Sequence, residues 1–279
     1  MSRKAAIGLF MLITLGPLVL GLGYSLLYSL GLIGLMNDGF TLTHWNYLFS
    51  STGAWQSLGY TVIVTVVSLL LSIGSALFLS WSLIQRPITF KDGLSLFVPM
   101  LFPPLIAGFV WYQLLNPAGF LSRLVFAFGL IDQLASFPRW VNDSWNVGII
   151  VTHVYLIFPI FSILFLAQSR KLRMPEMKTL AVNLGSTSGQ FFRKVYAPIL
   201  LQTTKPIIWL YGIFLMGMYE VPLLLGRSAP QAVSVFITEK MTRFNLYDIP
   251  VGHAMSVLYT VTILLIVSLF VRKKAFSVL

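Results

Sequence analysis

The sequence predicts an all-α integral membrane protein of six transmembrane helices, with a short helical insert between the fourth and fifth. Three observations lead there. Hydrophobic residues make up 57% of the 279 residues, charged residues 10%, and mean hydropathy is +0.85; a soluble domain carries about 25% charged residues. Six apolar stretches run to roughly twenty residues each, the length a helix needs to cross about 30 Å of hydrocarbon. The basic residues, finally, are sorted by loop. Alternate loops hold Arg3, Lys4, Arg86, Lys91, a cluster in 168–205, and Arg272 to Lys274, while the other loops hold Arg123, Arg139, Arg227, Lys240 and Arg243. The positive-inside rule then sets both termini, 84–92 and 168–205 in the cytoplasm. The net charge of +11 thus records topology, with acidic lipid headgroups as its neighbours, and gives no reason to expect nucleic acid.

The first span is expected near 5–33. Arg3 and Lys4 precede it as in a signal peptide, but its apolar run exceeds the 7–15 residues of an h-region and no small-residue cleavage site follows, so it reads as retained. Segment 34–57 is polar and aromatic, with Asp38, His44, Trp45, Tyr47 and Trp55. The second span is expected near 58–83. The third, near 93–115, carries Pro99, Pro103 and Pro104, and reads as a broken span lining a pathway, because freed backbone groups in lipid need neighbouring helices or water. Segment 116–146 opens on an Asn116-Pro117 turn and continues with the amphipathic run GFLSRLVFAFGLI. The fourth span is expected near 147–167, the fifth near 206–226 and the sixth near 251–271. Between the last two, AVSVFITEKMTRF suits a short helix dipping into the outer leaflet. The chain divides into residues 1–57 with the first span, a core of 58–271, and a tail of 272–279.

The insert in 168–205 has helix punctuation of its own. Pro175-Glu176 is a good start, a proline and an acid in the first turn. Gly185 can take the left-handed conformation that ends a helix, and Ser186 or Ser188 can cap a second helix, QFFRKVYAPIL, that leads into the membrane. Two short helices at an angle form a knob on the cytoplasmic side.

The pattern Ala181, Gly185, Val195, Pro198 resembles the cytoplasmic motif of permease subunits in binding-protein-dependent ABC importers of the type I fold. That motif reads E-A-A, three residues, G, nine residues, I-x-L-P. Here Thr179, Leu180 and Ala181 stand at E-A-A, and Val195 to Pro198 at I-x-L-P. The spacing is kept, but the glutamate is replaced by Thr179, and Glu176 is the acid one helical turn earlier. TLTHWNYLFSSTGAWQSLGYTVIVT is similar to that family's segment entering the second span, and SLFVPMLFPPLIAGFVWYQLL to its proline-rich third span. GMYEVPLLLG looks like the permeases for polyamines, ferric iron and thiamine, and FNLYDIPVGHAMSVLY like the carbohydrate permeases. The resemblance implies a subunit of a bacterial-type inner-membrane transporter that pairs with a second permease, identical or related. It also implies a cytoplasmic ATPase dimer docked on a coupling helix, and an external solute-binding protein. The coupling positions it implies are Glu176, Thr179, Ala181, Gly185, Val195 and Pro198. The chain has no G-x-x-x-x-G-K-[ST], so ATP and magnesium belong to the partner ATPase and this chain is expected to bind no cofactor.

Candidate pathway residues follow from position. Glu220, beside Tyr219, is a carboxylate near the end of a span, where charge is costly and faces a cavity or a partner; it either meets a cationic solute or serves as a structural, gating or ion-paired acid, with Arg227 nearby. His153 is expected to hydrogen-bond a neighbouring helix, a proton relay being the alternative. Trp111, Tyr112 and Gln113 could stack on or hydrogen-bond a solute, or belong to an interfacial aromatic belt. Cysteine is absent, the three histidines are scattered, and neither H-E-x-x-H nor G-x-S-x-G occurs, so neither a catalytic site nor a metal site is expected. A secondary transporter or channel acting alone is the rival; no inverted repeat relates the two halves, which weighs against it.

Overall fold

The computed structural model describes residues 3–35, 37, 39–86 and 89–275. The side chains of Arg3, Phe90 to Asp92 and 269–275 are outside that description, as are Asp38 and residues 276–279 of the expected tail. The described residues form helices and loops, with no strand among them. Five helices are long and apolar enough to cross a membrane, or six if one bent pair counts as a single span. Contacts group Met1–Leu58 with Val233–Leu279, and Gly59–Ala232 separately.

The first group contains α1 (Arg3–Ser29) and α2 (Thr43–Ser50). α1 is one apolar helix through Pro17, with Leu12, Val19 and Leu20 exposed along it, as a lipid-facing helix requires. It packs on the last helix of the chain, where Tyr28 stacks on His253 at 4.4 Å and Ser25 lies 3.2 Å from the same imidazole. The second group begins within α3 (Thr52–Ser82), which starts six residues earlier than the second apolar stretch predicted.

The third apolar stretch is broken where its prolines fall. α4 (Phe90–Phe97) runs into a 3₁₀ turn, Val98–Leu101, and the chain restarts as α5 (Pro104–Leu115). The segments before and after the break are bent by 99°. Pro103 and Pro104 lack N–H donors, so no regular ladder can pass through them; proline at the first helical position then suits the restart. α6 (Phe120–Ala127) is the amphipathic run after the Asn116 turn. α7 (Val147–Lys171) forms the core of this group, with Phe161 and Phe165 fully buried. The Asp143 carboxylate accepts the N–H groups of Trp145 and Val147 at its start.

After α7 come α8 (Met174–Asn183) and α9 (Ser188–Phe191), then a π-helical turn, Phe192–Tyr196, continuous with α10 (Ala197–Gly217). The fifth long apolar helix therefore runs over Ser188–Gly217, where 206–226 was expected. It tolerates Pro206 internally and stops at Met218, and a separate short helix follows, α11 (Glu220–Leu225). Apolar residues continue on both sides of Glu220 across 206–226, and no proline marks the break at Met218. α11 packs against α5 and α7, which also pack against each other.

The first group closes with α12 (Val233–Thr242) and α13 (Asp248–Ala275). Gly252 lets them approach: a Cβ there would meet Met241 Cγ at 2.9 Å and Lys240 Cβ at 3.2 Å. Lys240 Nζ donates to Asp248 at 2.8 Å, and Arg243 pairs with Glu239 and lies 3.7 Å from Asp248.

Candidate functional site

The insert is built by local signals. Arg173 turns the chain in the left-handed region at φ 51°, Met174 is buried, and Pro175 and Glu176 fill the first turn of α8. At its end Gly185 has φ +89°. Its N–H donates to Val182 O and that of Ser186 to Ala181 O, both at 2.9 Å, the paired bonds of a Schellman cap. Ala181 is thus the residue whose carbonyl the cap uses. The second helix is capped by Thr187, whose hydroxyl accepts from Gln190 N–H while Gln190 Oε1 accepts from Thr187 N–H. Ser186 or Ser188 was expected there, but reciprocal bonding with the residue three positions on requires Gln190, and only Thr187 has that spacing.

The expected coupling positions differ in what they offer. Thr179, standing where the family has its acid, turns its hydroxyl back to Pro175 O at 3.1 Å. Glu176 is exposed and makes no ion pair or hydrogen bond with a described residue. Val195 and Pro198 are half-buried in and after the π turn. Around Gly185 the outer surface is apolar: Met177, Leu180, Val182 and Leu184 are all exposed, Leu184 at 88%. Met177, Leu180 and Leu184 recur at helical spacing on one face.

The pathway candidates lie on three mutually packed helices. Trp111, half-buried on α5, meets Tyr155 of α7 edge-on at 5.8 Å; Tyr112 is half-buried and Gln113 exposed. His153 is buried, with Nδ1 3.3 Å from Ser68 Oγ on α3, and its Nε2 has no partner. It lines, with Tyr60, Thr65 and Met218, a cavity of about 10 Å³, which suits a single water. Tyr219 sits at the N-cap position of α11 and Glu220 opens that helix. Both are half-buried. Glu220 makes no ion pair or hydrogen bond with any described residue. Arg227, its expected neighbour in charge, instead lies 5.5 Å over the Tyr60 ring.

Several residues had no signal in the sequence. Tyr60 donates to Asn146 Oδ1 at 2.7 Å, a buried bond across 86 positions. A groove of about 410 Å³ opens at the break in the third span, lined by Phe102, Pro104, Ile157, Leu210, Tyr211 and Phe214 among others. Tyr211 and Phe214 are ordinary apolar span residues until the break exposes them. Among the described residues no group of histidines and carboxylates could hold a metal ion.

No protein-family model matches the chain. Over 196 residues, 68% of its length, it is 27% identical to the thiamine transport system permease protein ThiP of Escherichia coli. It is 26% identical to the protein of that name from Salmonella typhimurium over the same length. The chain spans about a third of the length of these curated relatives, 34% in each. In structure it superposes on a chain of a bacterial ABC transporter involved in the import of the acidic polysaccharide alginate, with a TM-score of 0.70 at 18% identity. That match covers 98% of this chain and 93% of the other. The resemblance to importer permeases stands on both counts: this membrane protein has the fold of an ABC importer subunit, and its sequence is similar to that of importer permeases.

Proposed function

We propose that this chain is the transmembrane permease subunit of an ATP-driven solute importer, forming half of the pathway and gripping a separate ATPase through the exposed apolar face of the 175–198 loop. One observation carries the reading. Between two membrane-length helices stands a capped two-helix knob whose outer face is apolar, with Leu184 at 88% exposure. Exposed apolar surface on a basic, water-facing element marks a protein contact. Glu176, unpaired beside that stripe, supplies the acid that Thr179 does not. The ATPase binds ATP and magnesium, an external binding protein delivers solute, and a second permease copy or relative completes the pathway. Both termini lie in the cytoplasm of an inner-membrane protein. Closure of the ATPase dimer would bring the two knobs together and swing the spans as rigid bodies.

The unpaired Glu220 on α11 favours a cationic solute, and the sequence relatives are thiamine permeases. The test is a pull-down of an ABC ATPase co-expressed with this chain, with uptake measured in vesicles. Leu184→Asp should release the ATPase and abolish uptake. Undiminished ATPase capture by the variant, or uptake by the native protein without ATP, would refute the proposal and favour a transporter acting alone.

A further inference from the structure

The motif proline leaves a physical trace that the sequence does not announce. Pro198 has no N–H to give the Lys194 carbonyl, and in a regular helix its ring would press on that carbonyl. The chain answers by widening the preceding turn: Ala197 N–H donates to Phe192 O, five residues back, and Phe192–Tyr196 is π-helical. The helix stays continuous from Ser188 to Gly217. Positions five apart in an α-helix point about 140° away from each other, whereas a π turn brings them back into line. Phe191 and Tyr196 are accordingly both buried, at 3% and 0% exposure.

They close on one residue of the second span. The Trp81 ring lies 6.2 Å from Phe191, 5.2 Å from Phe192 and 5.1 Å from Tyr196, centroid to centroid. Lys178 Nζ, from α8, sits 4.4 Å over the same ring. Both arms of the knob therefore clasp α3 at a single indole. The Tyr196 hydroxyl donates to Ser80 Oγ at 3.0 Å, across 116 positions, with Ser169 of α7 beside the same hydroxyl. Ser80 and Ser169 are buried.

We propose that Trp81, Tyr196 and Lys178 form a transmission joint that makes the knob and the α3 and α7 spans move together. The joint rests on the reading of 175–198 as the ATPase contact. These are positioning residues: they touch neither solute nor nucleotide. Without the clasp, the knob could swing on the 184–187 turn while the spans stayed still, so that hydrolysis would proceed without transport.

The test uses the whole transporter, permease with its ATPase and binding protein, reconstituted in vesicles. Tyr196→Phe removes the hydroxyl and keeps the ring, and Lys178→Met removes the cation from a half-buried position with little risk to folding. ATPase capture, ATP hydrolysis and uptake per ATP are read on each. The joint predicts normal capture, retained hydrolysis, and uptake per ATP reduced about tenfold in Tyr196→Phe, the scale of a buried hydrogen bond, with a smaller loss of about two- to fivefold in Lys178→Met. Native uptake per ATP in both variants overturns it. So does loss of ATPase capture in Tyr196→Phe, which would make the residue part of docking. Leu184→Asp separates the two ideas: if it leaves the ATPase bound, the contact reading itself falls; if it releases the ATPase while both joint variants transport normally, the joint alone falls.

Discussion

Replacing Gly185 isolates one term of the knob's stability. Its φ of +89° lies where side chains are penalised, yet a Cβ built there meets no atom within 4 Å. The penalty is therefore conformational and free of clash. A left-handed residue other than glycine costs about 1–2 kcal/mol, less for asparagine, which tolerates that region, and more for a β-branched residue. The expected order of harm is Asn, then Ala, then Val. What is lost is the pair of bonds from Gly185 and Ser186 N–H to Val182 and Ala181 O. A cost of about 1–2 kcal/mol opens that cap about 5- to 30-fold more often. Amide exchange at Gly185 and Ser186 in the purified protein should accelerate by that factor in Gly185→Ala. In the assembled transporter, Gly185→Val should hydrolyse ATP without importing solute. Exchange at the native rate in Ala and Val alike, or an asparagine variant as damaged as valine, would refute the reasoning. Normal uptake in Gly185→Val would refute the role given to the turn.

Two further outcomes are open to direct measurement. Tyr60→Phe leaves Asn146 Oδ1 buried without its donor, and should lower stability in detergent by about 1–3 kcal/mol, read by thermal unfolding. Glu220→Gln breaks no ion pair with a described residue, so stability should stay within about 0.5 kcal/mol of native; uptake of a cationic solute should fall, and a larger stability loss would show the carboxylate to be structural.

Much of the fold was legible because its signals are local. Span length follows from the run of apolar residues, the broken third span from Pro103 and Pro104, and the end of α8 from Gly185. Where signals competed, the reading slipped. Three hydroxyl residues could cap α9, and the partner Gln190 chose Thr187. The expected fifth span ends nine residues beyond the observed one, at 226 against Gly217, because apolar composition continues through Met218 and Tyr219 while the backbone does not. Glu220 consequently opens a separate helix.

The sequence by itself determined that this chain is a multi-pass helical membrane protein, where its charged loops fall, and that its insert keeps the glycine-to-proline spacing of an importer permease. Composition and short-range spacing carry those, since each depends on residues a few positions apart. Only the tertiary structure decided which groups meet: Tyr196 with Ser80, Tyr60 with Asn146, His153 with Ser68. These pairs stand 85 to 116 positions apart, and of their members only His153 stood out in the sequence, without its partner. Burial in a lipid-embedded bundle makes such groups find partners, but which partner each finds is set by how the helices pack.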